Sequence, residues 1–174
     1  MDKFAMIIFG ASGDLTKRKL MPALYSLYRE KRLTGEYSIL GIGRTVYSDD
    51  NYRSYILEEL QQFVKSEEQD TALMASFVSH LYYLPMDPAK EEGYPQLRQR
   101  LVDLTGEVDP DNLLFYLATP PSLYGVVPLY LKAAGLNPPH SRIIVEKPFG
   151  YDLESARELN KTYASVFNEH QIYR

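Results

Sequence analysis

The sequence predicts an α/β protein built on a doubly wound, mainly parallel sheet with helices on both faces. Short apolar runs alternate with longer amphipathic stretches along the 174 residues, in the order βαβαβαβαβαβ. Strands that alternate with helices lie parallel in one sheet and are joined by right-handed crossovers. The first apolar run, from Phe4 to Phe9, ends in Gly10, which is typical of a strand buried on both faces.

Six strands and the helices between them follow from this alternation. The strands are expected over residues 4–9, 37–41, 80–84, 112–118, 142–145 and 171–174. Helices are expected around residues 20–27, after 49–50, over 70–79, from 87 toward 104, over 122–134 and after 152, because apolar side chains recur there at helical spacing. Asp49-Asp50, Asp87 (followed by Pro88) and Asp152 are predicted to cap three of these helices.

Composition excludes several classes of function. With 45% hydrophobic and 24% charged residues, the chain has the composition of a globular protein, and its net charge of −4 provides no basic excess for nucleic acid. The absence of cysteine excludes thiol catalysis, disulfide scaffolds and Fe–S clusters. The uncharged residues 112–131 include three prolines and a glycine, so no membrane span is predicted. No secretory signal is visible, which favours a cytoplasmic protein.

The turn after the first strand carries a candidate phosphate cradle. Its residues are Gly10, Ala11, Ser12, Gly13, Asp14, Leu15 and Thr16. Ser12 and Thr16 stand in place of the second and third glycines of the dinucleotide fingerprint, but Gly10 would permit the tight turn and Gly13 the close approach of a pyrophosphate. A plain strand-to-helix turn is the alternative. The position of residues 10–16 in the first βαβ unit favours the phosphate cradle. It therefore favours a Rossmann-type dinucleotide-binding domain over residues 1–174.

Cations follow each of the first two strands. Lys17, Arg18 and Lys19 would oppose the helix dipole, so they indicate either a bound phosphate or a solvated surface cluster. Arg44, beside Thr45, follows the second strand, where NAD enzymes usually place an acidic residue. Because a guanidinium suits a 2′-phosphate, Arg44 favours NADP as the cofactor, with NAD as the weaker alternative, unless it is a plain surface arginine.

The fourth and fifth strands are also followed by candidate site residues. Pro121 belongs to a stiff two-proline loop before Tyr124, which could stack on a ligand, hydrogen-bond to it, or simply start a helix. The triplet Glu146-Lys147-Pro148 would aim an ammonium into the cleft, and its Lys–Pro bond is a candidate for the cis form.

A catalytic base is missing from this pattern. His80, His140 and His170 do not follow the carboxyl end of any predicted strand beside the cleft, and none has a paired carboxylate at suggestive spacing. All three are therefore interpreted as structural or surface residues. No Tyr is followed four residues later by Lys, and no spacing suits a metal. No catalytic residue and no metal ligand are predicted in this chain.

Four motifs, in order and over essentially the whole chain, together resemble glucose-6-phosphate dehydrogenases. They are residues 10–20, 43–45, 120–124 and 146–150. The resemblance implies that residues 10–17 bind the cofactor pyrophosphate, that Arg44 binds the 2′-phosphate, and that Lys147 and Lys19 serve glucose 6-phosphate. The further cofactor contacts that it implies are Thr45, Met86, Asp87, Pro121, Tyr124 and Lys147. Thr16 departs from the alanine that is usual there.

The resemblance also implies an activity for the full-length protein. Members of the family oxidise glucose 6-phosphate at C1 to 6-phosphogluconolactone with hydride transfer to NADP, and a homodimer or homotetramer is expected. In the family a motif of the form I-D-H-Y-L-G-K would follow residues 171–174, with the catalytic His further on. The chain is thus expected to be an amino-terminal coenzyme domain without the carboxy-terminal substrate and dimerisation domain, which binds cofactor and does not catalyse.

Two other interpretations stay open at the level of sequence. A sugar dehydrogenase of the glucose–fructose oxidoreductase type also pairs a Rossmann domain with Glu-Lys-Pro, although such enzymes usually keep a fuller G-x-G-x-x-G. A non-catalytic dinucleotide sensor would use a similar glycine turn and would need no base. Neither alternative predicts a nucleic-acid or membrane partner.

Overall fold

The computed structural model describes residues 3–174, in which six parallel strands form one sheet. The strands are β1 Phe4–Phe9, β2 Tyr37–Gly43, β3 Leu81–Pro85, β4 Leu113–Leu117, β5 Arg142–Val145 and β6 Ile172–Tyr173. The helices are α1 Met21–Arg29, α2 Asp49–Phe63, α3 Thr71–Val78, α4 Tyr94–Thr105, α5 Val127–Ala133 and α6 Leu153–Val166. A π-helical segment, Thr16–Leu20, leads directly into α1.

The strand order is β3-β2-β1-β4-β5-β6, and every neighbouring pair is parallel. The chain runs outward from β1 to β3 and then returns to place β4 on the other side of β1, which confirms the predicted doubly wound Rossmann-type fold. Successive side chains of β1 point to opposite faces. Ile7 and Phe9 pack with α4, α5 and α6, whereas Met6 and Ile8 pack with α1, α2 and α3. Both faces of β1 are therefore buried, as its apolar run predicts.

Two of the predicted helix caps are wrong and one is confirmed. The cap of α2 is Ser48, whose Oγ accepts a hydrogen bond from the Asn51 amide at 3.1 Å, and the two aspartates that follow lie within the first turn. Asp87 caps no helix, because its Oδ1 accepts from the Ala89 amide at 3.0 Å and closes a turn well before α4. Asp152 does cap α6. Aspartate side chains close turns as readily as they cap helices, which explains the error at residue 87.

Some element boundaries also differ from the predictions. β2 continues to Gly43 instead of ending at residue 41, and β3 is displaced by one residue. The segment after β4 first forms a 3-10 turn, Pro121–Leu123, and α5 begins only at Val127. Pro128 lies in the first turn of α5, where a missing N–H is tolerated.

Side chains of α2 form hydrogen bonds with backbone groups on the outer side of β3, which is an edge strand of the sheet. The Asp49 carboxylate accepts a hydrogen bond from the Tyr83 amide at 2.8 Å and pairs with Arg100 at 2.5 Å. Arg53 Nε donates to the Leu81 carbonyl at 2.7 Å. Backbone groups that would otherwise invite another strand are thus occupied by side chains of the same chain.

We expect Asp49→Ala to lower the free energy of unfolding by about 1–3 kcal/mol, because the Tyr83 amide and the Arg100 guanidinium lose their acceptor. Denaturant unfolding measures the loss. The control is Asp50→Ala, since Asp50 lies in the same helical turn, is 92% exposed and pairs with Arg53 at the surface. If the two variants lose the same free energy, Asp49 does not stabilise the strand edge as described.

Candidate functional site

A cleft with a volume of about 420 Å³ lies at the carboxyl ends of β1, β2 and β4. Ligands of open α/β sheets bind at this edge, where the strand order reverses. Five residues predicted from the sequence line the cleft together: Gly10, Ser12, Gly13, Arg44 and Asp87. The structure therefore brings the turn after β1 and the end of β2 into one concave surface.

Gly10 shapes the turn after β1. Its φ of +88° lies in the left-handed region, and a Cβ built on it would lie 2.1 Å from the Ala118 carbonyl oxygen. The carbonyl of Gly10 accepts hydrogen bonds from the Gly13 amide at 3.1 Å and from the Thr16 hydroxyl at 2.8 Å. Thr16 is fully buried, and its hydrogen bond to Gly10 connects the start of the helix to the turn. An alanine at this position could not form that bond.

Ala11 is held from the side of α2. The Tyr52 hydroxyl donates to the Ala11 carbonyl at 2.9 Å, and both residues are fully buried. Gly13 and Asp14, by contrast, are exposed at the start of the helix. The first amides of a helix have no partner within it and can bind an anion. The turn is thus anchored on the protein side and open on the side where a phosphate would lie.

Asp14 compensates part of the positive charge that follows the turn. Its carboxylate lies 3.5 Å from Lys17 Nζ and 3.8 Å from Arg18 Nε. The Arg18 guanidinium also lies 5.0 Å from the centre of the Phe63 ring. The unfavourable interaction expected between these cations and the helix dipole is therefore partly relieved within the chain. Lys19 is exposed and forms no ion pair with any residue in 3–174.

Arg44 directly follows the last residue of β2. Its side chain is exposed and makes no hydrogen bond or ion pair within the part of the chain that the structure describes. The backbone on either side is anchored, because Gly43 accepts from the Met86 amide at 2.9 Å and Thr45 accepts from the Tyr83 hydroxyl at 2.6 Å. The guanidinium is therefore available to a ligand in the cleft.

Eleven of the sixteen predicted site residues do not line the cleft: Ala11, Asp14, Leu15, Thr16, Lys17, Lys19, Thr45, Met86, Pro121, Tyr124 and Lys147. The last four of these follow β3, β4 and β5. Met86 is nearly buried, and Tyr124 is 2% exposed within the core, where burial raises its pKa. Pro121 is exposed, and its neighbours Pro120 and Ser122 line the cleft. Lys147 is exposed after β5, and its bond to the following proline is cis, as the sequence suggests. The contacts implied for these four residues stay predictions.

Thr119 is a candidate residue that sequence reasoning missed. It lies two residues after the end of β4 and lines the cleft. Its hydroxyl oxygen is buried with no hydrogen-bond partner among residues 3–174. Such an orphaned polar group is costly unless a ligand or water satisfies it. An anion-binding turn, an available guanidinium at Arg44 and this unsatisfied hydroxyl together suit a phosphate-rich ligand with polar groups, as a dinucleotide is.

The histidines lie away from the cleft. His80 precedes β3 at its amino end and stacks on Tyr37 with ring centres 4.3 Å apart. His140 pairs with Asp111, a pairing that the sequence spacing did not suggest, and this hydrogen bond lowers the pKa of Asp111. His170 lies in a 3-10 turn before β6.

Residues 3–174 hold no group of acidic and histidine side chains that could bind a metal ion. Within the same residues, every helix is too short or too polar to cross a bilayer.

Comparison with known proteins gives consistent matches. A family model described as "Glucose-6-phosphate dehydrogenase, NAD binding domain" matches residues 7–174. A glucose-6-phosphate 1-dehydrogenase of Aggregatibacter actinomycetemcomitans is 46% identical over 173 residues, which cover 97% of this chain and 34% of that protein. The corresponding protein of Bacillus subtilis (strain 168) is 38% identical, with 99% of this chain and 35% of that protein covered. The chain thus spans only part of these relatives.

Solved structures give the same result. A structure described as glucose-6-phosphate dehydrogenase in complex with its substrate glucose-6-phosphate has a TM-score of 0.87 and 38% identity. The match covers 99% of this chain and 36% of that one. A glucose-6-phosphate 1-dehydrogenase from Mycobacterium avium has a TM-score of 0.84 and 33% identity, with 97% and 35% covered.

Proposed function

The chain belongs to the glucose-6-phosphate dehydrogenase family, as a nicotinamide-dinucleotide-binding domain, and on that basis we propose that its cofactor is NADP⁺ and that the enzyme containing it oxidises glucose 6-phosphate. The position of Arg44 is the observation that favours NADP⁺ over NAD⁺. Its exposed guanidinium lines the cleft at the end of β2 and has no partner among residues 3–174. A guanidinium at this position can form paired, charge-assisted hydrogen bonds to a 2′-phosphate.

The turn after β1 would bind the pyrophosphate. Gly10 keeps the turn tight, and the exposed backbone from Gly13 onward offers amides at a helix N-terminus. Thr119 and Asp87 would contact the cofactor from the other walls of the cleft, since both line it. In this arrangement the chain supplies binding and orientation.

The reaction requires more than cofactor binding. The residues that line the cleft would hold NADP⁺, which would supply the acceptor for the hydride from C1 of glucose 6-phosphate; a base must also take the C1 hydroxyl proton to give 6-phosphogluconolactone. Lys147 and Lys19 are proposed to attract the anionic sugar phosphate, and Tyr124 and Pro121 to contribute to the nicotinamide end. No base for the C1 hydroxyl proton is assigned to residues 3–174, because the three histidines lie away from the cleft. The family membership favours this reaction over that of a glucose–fructose oxidoreductase.

Calorimetric titration of the purified chain with NADP⁺ and with NAD⁺ tests the proposed cofactor. The dissociation constant of NADP⁺ is expected to be at least about tenfold lower than that of NAD⁺. This ratio corresponds to the free energy of the charge-assisted hydrogen bonds of one arginine. Adding glucose 6-phosphate to this chain alone is expected to produce no NADPH. Tighter binding of NAD⁺ would contradict the cofactor, and enzyme-like turnover would show that a base lies within the chain.

A further inference from the structure

Four tyrosines, Tyr47, Tyr52, Tyr55 and Tyr83, form a cluster between α2 and the carboxyl ends of β2 and β3. The ring centres of Tyr52 and Tyr83 are 4.7 Å apart, and those of Tyr47 and Tyr83 are 5.3 Å apart with the rings at 89°. Tyr47 also stacks on Tyr55 with ring centres 5.4 Å apart. This tyrosine cluster lies directly behind the two backbone segments that line the proposed cofactor site.

Two hydroxyl groups of the tyrosine cluster donate to backbone carbonyls, one in each of the two segments. The Tyr52 hydroxyl donates to the Ala11 carbonyl in the turn after β1, at 2.9 Å. The Tyr83 hydroxyl donates to the Thr45 carbonyl in the loop after β2, at 2.6 Å. Because the two rings are in contact, one aromatic cluster bonds both the turn after β1 and the loop carrying Arg44.

Gly43 permits this arrangement. A Cβ built on Gly43 would lie 2.7 Å from the Tyr83 hydroxyl oxygen and 3.3 Å from the Ser12 hydroxyl oxygen. Burial, followed by the neighbouring Tyr47, raises the pKa of Tyr83 to about 12, against the opposite effect of a hydrogen bond from Ser12. The Tyr83 hydroxyl therefore stays protonated at neutral pH and keeps donating to Thr45.

We propose that Tyr83 is a positioning residue for cofactor selectivity, which holds the backbone beside Arg44 so that its guanidinium meets the 2′-phosphate. The inference rests on the proposed function. The turn after β1 is held by hydrogen bonds from Thr16 and Tyr52. Residues 44–46, in contrast, are exposed, and the Thr45 carbonyl accepts the hydrogen bond that ties them to β3. Loss of the Tyr83 hydroxyl should therefore loosen the loop, whereas the turn loses only the hydrogen bond from Ser12 and keeps those made by Thr16 and Tyr52.

Tyr83→Phe in the otherwise intact chain tests this role by calorimetric titration. Binding of NADP⁺ is expected to weaken about three- to tenfold, the range for one neutral hydrogen bond, and binding of NAD⁺ to change by less than about twofold. The ring and its aromatic contacts remain, and water can reach the exposed Thr45. The control is Tyr28→Phe, which removes a hydroxyl that bonds Ser76 between α1 and α3, far from the cleft. The affinity for NADP⁺ and the affinity for NAD⁺ should both stay unchanged in this control variant.

A double-mutant cycle with Arg44→Ala separates positioning from general loosening. If Tyr83 acts through Arg44, Tyr83→Phe should not weaken NADP⁺ binding further once Arg44 is alanine. An equal loss for both dinucleotides, or the same additional loss in the Arg44→Ala background, would overturn the proposal. So would unchanged NADP⁺ selectivity in Tyr83→Phe.

Unfolding temperature and amide hydrogen exchange distinguish a loss of binding from a loss of folding. The unfolding temperature of Tyr83→Phe is compared with that of Tyr28→Phe, and binding is measured well below both. Should Tyr83→Phe not fold, amide hydrogen exchange in the wild type decides instead: adding NADP⁺ should slow exchange at residues 44–47 more than adding NAD⁺, and equal slowing would contradict the proposal. A wild-type chain without NADP⁺ preference would overturn the proposed cofactor, whereas a preference that Tyr83→Phe preserves would overturn only the role of Tyr83.

Discussion

Replacing Gly10 with alanine is expected to lower the free energy of unfolding by roughly 2–5 kcal/mol, the sum of left-handed backbone strain and a clash in a packed region. The φ of Gly10 is +88°, and the new Cβ would lie 2.1 Å from the Ala118 carbonyl oxygen. That oxygen belongs to backbone, and the Ala118 amide is itself bonded to the Phe9 carbonyl at 2.9 Å. Since β1 and β4 cannot separate without breaking their pairing, the clash cannot be relieved by a side-chain movement. Denaturant unfolding measures the loss.

Gly125→Ala provides the matched control. A Cβ at Gly125 would meet only Leu159 Cδ2, at 3.6 Å, which is an ordinary contact. Gly125 also does not have the positive φ that penalises a side chain. The same chemical change is therefore expected to alter the free energy of unfolding by less than about 1 kcal/mol. Similar behaviour of the two variants would show that the turn after β1 is less constrained than described.

Replacing Arg44 with alanine is expected to weaken NADP⁺ binding roughly 10- to 100-fold while NAD⁺ binding changes by less than about twofold. The two cofactors differ only in the 2′-phosphate, so a residue that binds this group should affect one of them. Because the guanidinium is exposed and the interaction is between charges, the difference should shrink as salt is added. Calorimetric titrations of both cofactors at low and high salt measure it.

Arg32→Ala is the control for a general loss of positive charge. Arg32 is also an exposed arginine, and it lies beyond α1 with its guanidinium 3.9 Å from Glu30. Both cofactors should bind this variant as they bind the wild type. Equal losses of NADP⁺ and NAD⁺ in Arg44→Ala would contradict a 2′-phosphate contact, even if Arg32→Ala behaved as expected.

The parts of the site that lie at strand ends could be predicted from the sequence. In a parallel sheet buried on both faces, strands appear as continuous apolar runs, so the residues that follow them can be placed at one edge. Gly10, Ser12, Gly13 and Arg44 are found at that edge for this reason. The glycine spacing further indicated a turn, and the positive φ of Gly10 agrees with it.

Features that depend on long-range packing could not be predicted. The hydroxyl of Tyr83 reaches Thr45 because β2 and β3 pair with a particular register, and no local pattern reports this. Thr119 was missed because an orphaned hydroxyl is visible only once its surroundings are packed. The sequence also does not show that Tyr124 follows the 3-10 turn Pro121–Leu123 and is 2% exposed, because that burial depends on the packing of α6 and β5 around it. Asp49, expected to cap α2, instead accepts from the edge of β3 because Ser48 already caps the helix.

A crystal structure of this chain with NADP⁺ tests the central claim most directly, because it locates both phosphate groups. The account predicts the pyrophosphate against the backbone amides that follow Gly13, and the 2′-phosphate within about 3 Å of the Arg44 guanidinium. A 2′-phosphate that points to solvent, or a dinucleotide bound away from the carboxyl ends of β1, β2 and β4, would contradict it.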